Sequence, residues 1–160
     1  MGFHSALTWV LEKEGGATVT MDPADPGGLT KYGISQRAYP ALDIRALTLQ
    51  DAQNIYKKDY WDRVSGDEFH DAVALCVFDC AVNQGVPRAI KLLQKAVGLP
   101  QDGIIGPQTI AAVKGADPKA LVERFQAERI LHYASLGTWE RFGRGWARRA
   151  IGTTIRAFNG

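Results

Sequence analysis

The chain is short of the residues that metal, redox and secretory readings need. Its 160 residues include two cysteines, Cys76 and Cys80, and three histidines, His4, His70 and His132. The cysteines sit four apart in a helical pattern, a poor geometry for a disulfide, which favours a reduced place of synthesis. The scattered histidines neither join Cys-x3-Cys in a metal site nor build a nucleophilic triad, so no metal and no cofactor are expected. No apolar run reaches the roughly 20 residues of a membrane span. The N-terminus lacks the basic, apolar and small-residue succession of a secretory signal. A formal net charge of +2 says little about partners, and no nucleic-acid partner is expected. No low-complexity linker, heptad series or internal repeat is evident, and this length can bury a core without staples.

What is present concentrates between Glu14 and Ser35. Phe3, Ala6, Leu7, Val10 and Leu11 follow the i, i+3, i+4, i+7 rule of an amphipathic helix, which stops at Gly15. Glu14 lies within roughly 20° of Phe3 and Leu7 on the helical wheel, so it extends the apolar stripe. An acid set in such a stripe tends to keep its proton, as a general acid must; the plainer alternative is a solvated acid at a frayed helix end. Asp22 and Asp25 follow in an irregular segment with glycines at 15, 16, 27, 28 and 33. A carboxyl at a helix end, facing a glycine-rich turn with further carboxyls, suits acid-assisted bond cleavage. Residues 16–33 read as loop with a short hairpin, on the faint alternation of Ala17, Val19 and Met21.

Farther along, Ser35 is a candidate cap for a short helix before Pro40. Thr48 and Asp51 resemble a capping box opening a helix that carries Tyr56, Tyr60 and Trp61. Every residue from Ala72 to Val82 is apolar except Asp79, the pattern of a central buried helix. Asp79 is then a buried acid that must find partners, and a structural hub is the favoured reading. Gly85 is a candidate C-cap. Pro87, Pro107 and Pro118 each fit the first turn of a further helix, and one or two last helices run from about Thr138 to Phe158. In this final stretch Arg141, Arg144, Arg148, Arg149 and Arg156 read chiefly as a solvated basic face, and otherwise as a face that attracts an anionic polymer or membrane.

Several ordered motifs carry a resemblance. Glu14-Gly15-Gly16, then Asp22-Pro23-x-Asp25-Pro26-Gly27-Gly28-x-Thr30-Lys31-Tyr32-Gly33-Ile34-Ser35, resembles the signature of glycoside hydrolase family 108. These are N-acetylmuramidases of phage endolysins and secretion-linked bacterial muramidases. Tyr56-x3-Tyr60-Trp61, Asn83-x-Gly85, Asp102-Gly103-x-x-Gly106-Pro107-x-Thr109 and Phe142-x-x-Gly145-Trp146-x-x-Arg149 are similar to later family elements. Met21 stands where the pattern has a polar residue such as Asn.

The resemblance implies a mainly α, lysozyme-like domain over residues 1–160, with a small β-hairpin or irregular lobe after the first helix. Residues 1–70 would hold the catalytic part, and 71–160 the helical part similar to the family's peptidoglycan-binding region. It implies hydrolysis of the β-1,4 bond from N-acetylmuramic acid to N-acetylglucosamine, or a lytic transglycosylase reaction ending in 1,6-anhydromuramic acid. A non-catalytic wall-binding module is the reading from another class. Glu14 matches the catalytic acid. Asp25 and Thr30 are similar in order to the assisting pair of phage-type lysozymes, with Asp22 the runner-up. Asp22, Tyr32, Tyr60, Trp61 and Asn83 are the candidate substrate contacts. Carboxyls about 5–5.5 Å apart would mean retention and about 6.5–9.5 Å inversion. The expected partner is bacterial peptidoglycan, met by a monomer that is made in the cytoplasm and reaches the wall or periplasm through a holin or a secretion system.

Overall fold

The computed structural model describes residues 2–22 and 28–160. Helix α1 spans Gly2–Lys13 and buries Ala6, Leu7 and Val10, the stripe read from the sequence. It ends where Gly15 and Gly16 take positive φ, +89° and +61°, a reversal that costs glycine little. The amide of Gly16 still reaches back to the Leu11 carbonyl at 3.0 Å, closing the last turn.

The lobe that follows is small. Strands β1 (Thr30–Lys31) and β2 (Ile34–Ser35) pair antiparallel, Thr30 opposite Ser35 and Lys31 opposite Ile34. Their two-residue loop, Tyr32-Gly33, has positive φ at both positions, 53° and 74°, as a type I′ hairpin requires. The strand expected near Val19 is reduced to one bridge between Thr20 and Thr30. The short helix expected from Ser35 is a turn instead: the Ser35 hydroxyl accepts from the Ala38 amide at 3.1 Å, and no helix follows.

Seven α-helices make up the bulk of the described residues. Thr48 and Asp51 form the reciprocal capping box that opens α2 (Leu49–Tyr56), which runs on as a π-helical turn over Lys57–Trp61. Helix α3 (Asp71–Gln84) is buried continuously from Ala72 to Ala81. Around it pack α1, α4 (Val86–Ala96), α6 (Pro118–Ala134) and α7 (Trp139–Asn159). A helix apolar on all sides has no other stable place than the centre. Cys76 and Cys80 are free and buried on it, and burial pushes the Cys80 thiol up to about 11, so neither is poised to react. No helix among the described residues is long and apolar enough to cross a membrane.

The turn before α5 (Pro107–Gly115) hangs on one buried side chain. Gln94 of α4 donates to Asp102 Oδ1 at 2.7 Å and to the Ile104 carbonyl at 3.0 Å, and accepts from the Gly103 amide at 3.0 Å. Gly103 supplies a positive φ of 78°. Replacing Gln94 by Ala strands these buried groups, and urea denaturation is expected to show a loss of about 2–3 kcal/mol.

Candidate active site

Glu14 sits at the end of α1, just before the paired glycines. The hairpin loop presses on it from the other side. A Cβ added to Gly33 would fall 2.7 Å from Glu14 Cβ and 2.5 Å from the Tyr56 hydroxyl, so only a glycine lets the hairpin approach this closely. The loop is held there by two bonds. The Tyr32 amide donates to the Gly16 carbonyl at 2.9 Å, and the Tyr56 hydroxyl donates to the Tyr32 carbonyl at 2.7 Å. Helix end, hairpin and α2 thus fix the position of one acid.

The surroundings of that acid are not only apolar. Arg149 of α7 donates from Nη1 to Glu14 Oε1 at 2.7 Å, with the two side chains 13% and 24% exposed. The same guanidinium donates from Nε to Asp79 Oδ1 at 3.0 Å. Asp79, wholly buried, also faces a second cation, the wholly buried Arg129 of α6, whose Nη2 is 2.8 Å from its Oδ2. The Thr153 hydroxyl adds a contact to Oδ2 at 3.2 Å, and Trp9 Nε1 donates to that hydroxyl at 3.1 Å. Arg129 also donates from Nε to the Tyr133 hydroxyl, which in turn donates to Asn83 Oδ1 at 2.8 Å. A continuous polar chain therefore links Glu14, Arg149, Asp79, Arg129, Tyr133 and Asn83.

Two acidic side chains alternate with two guanidiniums along this chain, so each buried cation has an acid beside it, the condition for burying it at all. Burial alone would lower the Arg149 pKa, but Asp79 and Glu14 outweigh it and hold the guanidinium above its ordinary range. Burial, and after it the Glu14 charge, push the Tyr56 hydroxyl well up, so it stays a donor to the hairpin.

Two surface depressions flank the C-terminal end of α3. One, of about 420 Å³, is lined by Lys13, Asn83, Gly145, Trp146, Arg148 and Arg149. The other, of about 370 Å³, includes Tyr39, Asp59, Tyr60, Arg63 and Gly85. Arg149 joins the first to Glu14. Tyr60 joins the second: burial, then the nearby charges of Asp59 and Glu14, push its hydroxyl upward.

The candidates from the sequence divide accordingly. Tyr32 and Thr30 lie in the hairpin, half-buried, and the Thr30 hydroxyl donates to the Gly28 carbonyl at 3.3 Å. Tyr60 and Asn83 line the depressions. Asp22 is exposed, and Asp25 lies outside the described residues. Trp61 is corrected. It is 2% exposed, donates from Nε1 to Asp67 at 2.8 Å and meets Phe3 and Phe78 edge-on, so it is core and offers no face to a sugar. Consecutive residues of a helix point in different directions, so Tyr60 and Trp61 do not share one platform.

Arg149 is the residue the sequence reading missed. It stood among arginines read as a solvated face, yet it turns inward. The available signal was the buried Asp79, which required a cation from elsewhere in the chain. Asp79→Asn leaves Arg129 buried with its charge uncompensated, and denaturant unfolding is expected to show a cost of about 3–5 kcal/mol.

The comparisons agree with this geometry. The pattern of the family described as Glycosyl hydrolase 108 matches residues 7–85, and that described as Predicted Peptidoglycan domain matches 88–151. The solved structure of Brucella abortus SagA is 35% identical and superposes with a TM-score of 0.87, covering 98% of this chain and 94% of that one. No protein of curated function matches the chain. With a mainly helical, lysozyme-like fold and a half-buried acid set between helix end and hairpin, the chain belongs to glycosyl hydrolase family 108 and is a glycoside hydrolase that acts on peptidoglycan.

Proposed function

We propose that Glu14 is the general acid of a muramidase, donating a proton to the oxygen of the β-1,4 bond from N-acetylmuramic acid to N-acetylglucosamine. One observation carries this reading. Glu14 is the carboxyl that helix end, hairpin and Arg149 hold together beside the two depressions. Arg149 occupies Oε1, which fixes the rotamer and leaves the other oxygen for proton transfer. Protonating the leaving oxygen lets the glycosidic bond break while positive charge spreads over the muramic ring and its ring oxygen.

That charge needs a second group. We assign the assisting role to Asp25 with Thr30, by their order in the sequence after Glu14, Asp22 being the alternative acid. A water enters, its hydroxyl goes to the anomeric carbon, and its proton leaves to the assisting carboxylate in an inverting path or to Glu14 in a retaining one. Tyr60 and Tyr32 supply aromatic edges to the sugars, and Asn83, whose Oδ1 is already occupied by Tyr133, offers its amide nitrogen to an N-acetyl carbonyl.

Two variants test this. Glu14→Gln keeps an oxygen for Arg149 to bind but has no proton to give. It is expected to fold normally and to lose about 100-fold or more in the release of muropeptides. Mass spectrometry of wild-type products is expected to show reducing muramic ends, one water heavier than the anhydro ends of a lytic transglycosylase; anhydro ends, or full activity in Glu14→Gln, would overturn the assignment. Gly33→Ala costs about 1–2 kcal/mol of backbone strain and crowds Glu14, so wall-clearing activity is expected to fall about 100-fold, more than the stability change accounts for.

A further inference from the structure

We propose that the depression walled by Lys13, Trp146 and Arg148 binds the acidic stem peptide carried by the muramic residue being cleaved. The inference rests on the muramidase reading and adds which part of the polymer this surface recognises. It begins with charge. Arg149 is committed to Glu14 and Asp79, but Lys13 and Arg148 form no ion pair among the described residues. Both are exposed, and Lys13 Nζ is steadied 4.1 Å over the Trp9 ring. No acid among the described residues lines this depression. Four other depressions each include at least one aspartate or glutamate. These two cations therefore create a local positive field on this side of Glu14.

The shape fits a peptide rather than a bare ion. The space is about 420 Å³. Trp146 forms one wall, its ring tilted against those of Tyr133 at 5.1 Å and Phe142 at 5.7 Å. Gly145 leaves room in which an added Cβ would meet nothing within 4 Å. Asn83, assigned above to the N-acetyl group, marks the sugar end of this space. Reaction geometry supplies the rest. In a muramidase the ring that loses its glycosidic oxygen is muramic acid, so that ring must lie against Glu14. Its lactyl group carries the peptide, which therefore starts within a ring's width of the acid, where Arg149 joins the depression to Glu14.

Carboxylates of the stem and phosphodiesters of a wall polymer are both anionic oxygen ligands, and the experiment separates them. Release of reducing muramic ends is measured for the wild type and the Lys13→Gln/Arg148→Gln double variant. Four glycan substrates are compared: strands with stem peptides, strands stripped by an amidase, strands with stem carboxylates amidated, and stripped strands bearing a phosphodiester polymer. The wild type is expected to cleave peptide strands with a kcat/KM about three- to tenfold above the stripped, the amidated and the phosphodiester-bearing strands. In the double variant that ratio falls to about one, while the rate on stripped strands stays within about twofold. An unchanged ratio in the double variant, no wild-type preference, or a preference that follows the phosphodiester would overturn the inference. Absence of reducing muramic ends from every substrate would instead overturn the muramidase reading beneath it.

Discussion

Everything in this molecule accommodates one buried carboxylate. Asp79 lies on a helix that is otherwise apolar from Ala72 to Val82, and it is 0% exposed. Such a charge survives only when cations and hydrogen-bond donors meet it directly. Arg129 comes from α6, Arg149 from α7, and Thr153 one turn farther along α7. The three helices cannot slide or rotate past one another without separating opposite charges in a medium that screens them poorly. Apolar packing brings the helices together, and this ionic chain fixes their register.

The same chain reaches the chemistry. Arg149 has one face on Asp79 and one on Glu14, so the rigid interior ends in a side chain that holds the reactive carboxyl. On its other flank the acid meets a hairpin with a left-handed tyrosine, anchored through Tyr32 to Gly16 and Tyr56. The working group is thereby gripped from the N-terminal helix, the hairpin and the C-terminal helix. The boundary between the two matched sequence regions falls at the junction of α3 and α4, yet one apolar cluster runs from Ala6 to Ala157 across it, and the second region contributes the cation that holds the acid of the first.

What the sequence disclosed was local. The stripe of α1 points Leu7 and Val10 inward because their spacing matches the helical turn. Thr48 and Asp51 close a reciprocal cap because both partners lie within three residues. The unbroken apolar run of α3 has only one place to go. Pairings across distance were harder. Asp79 announced that it needed a partner but not which one, since Arg149 lies 70 residues away among four other arginines of similar appearance. Trp61 and Tyr60 look alike in sequence, and only the π-helical turn and the pocket left by Gly66 decide that the indole goes inside. Ser35 satisfied its turn with one hydrogen bond and had no apolar stripe after it to sustain a helix.

The contact between Arg149 and Glu14 spans 135 residues of chain, and this has a consequence for biosynthesis. A ribosome releases the acid 135 residues before its guanidinium. Until α7 emerges, the nascent chain carries a carboxyl without its clamp, and Asp79 has Arg129 but not the second of its two cations. Hydrolytic competence therefore does not accrue gradually with length; it waits for α7, and a chain cut short before that helix carries the signature acid without the guanidinium that holds it.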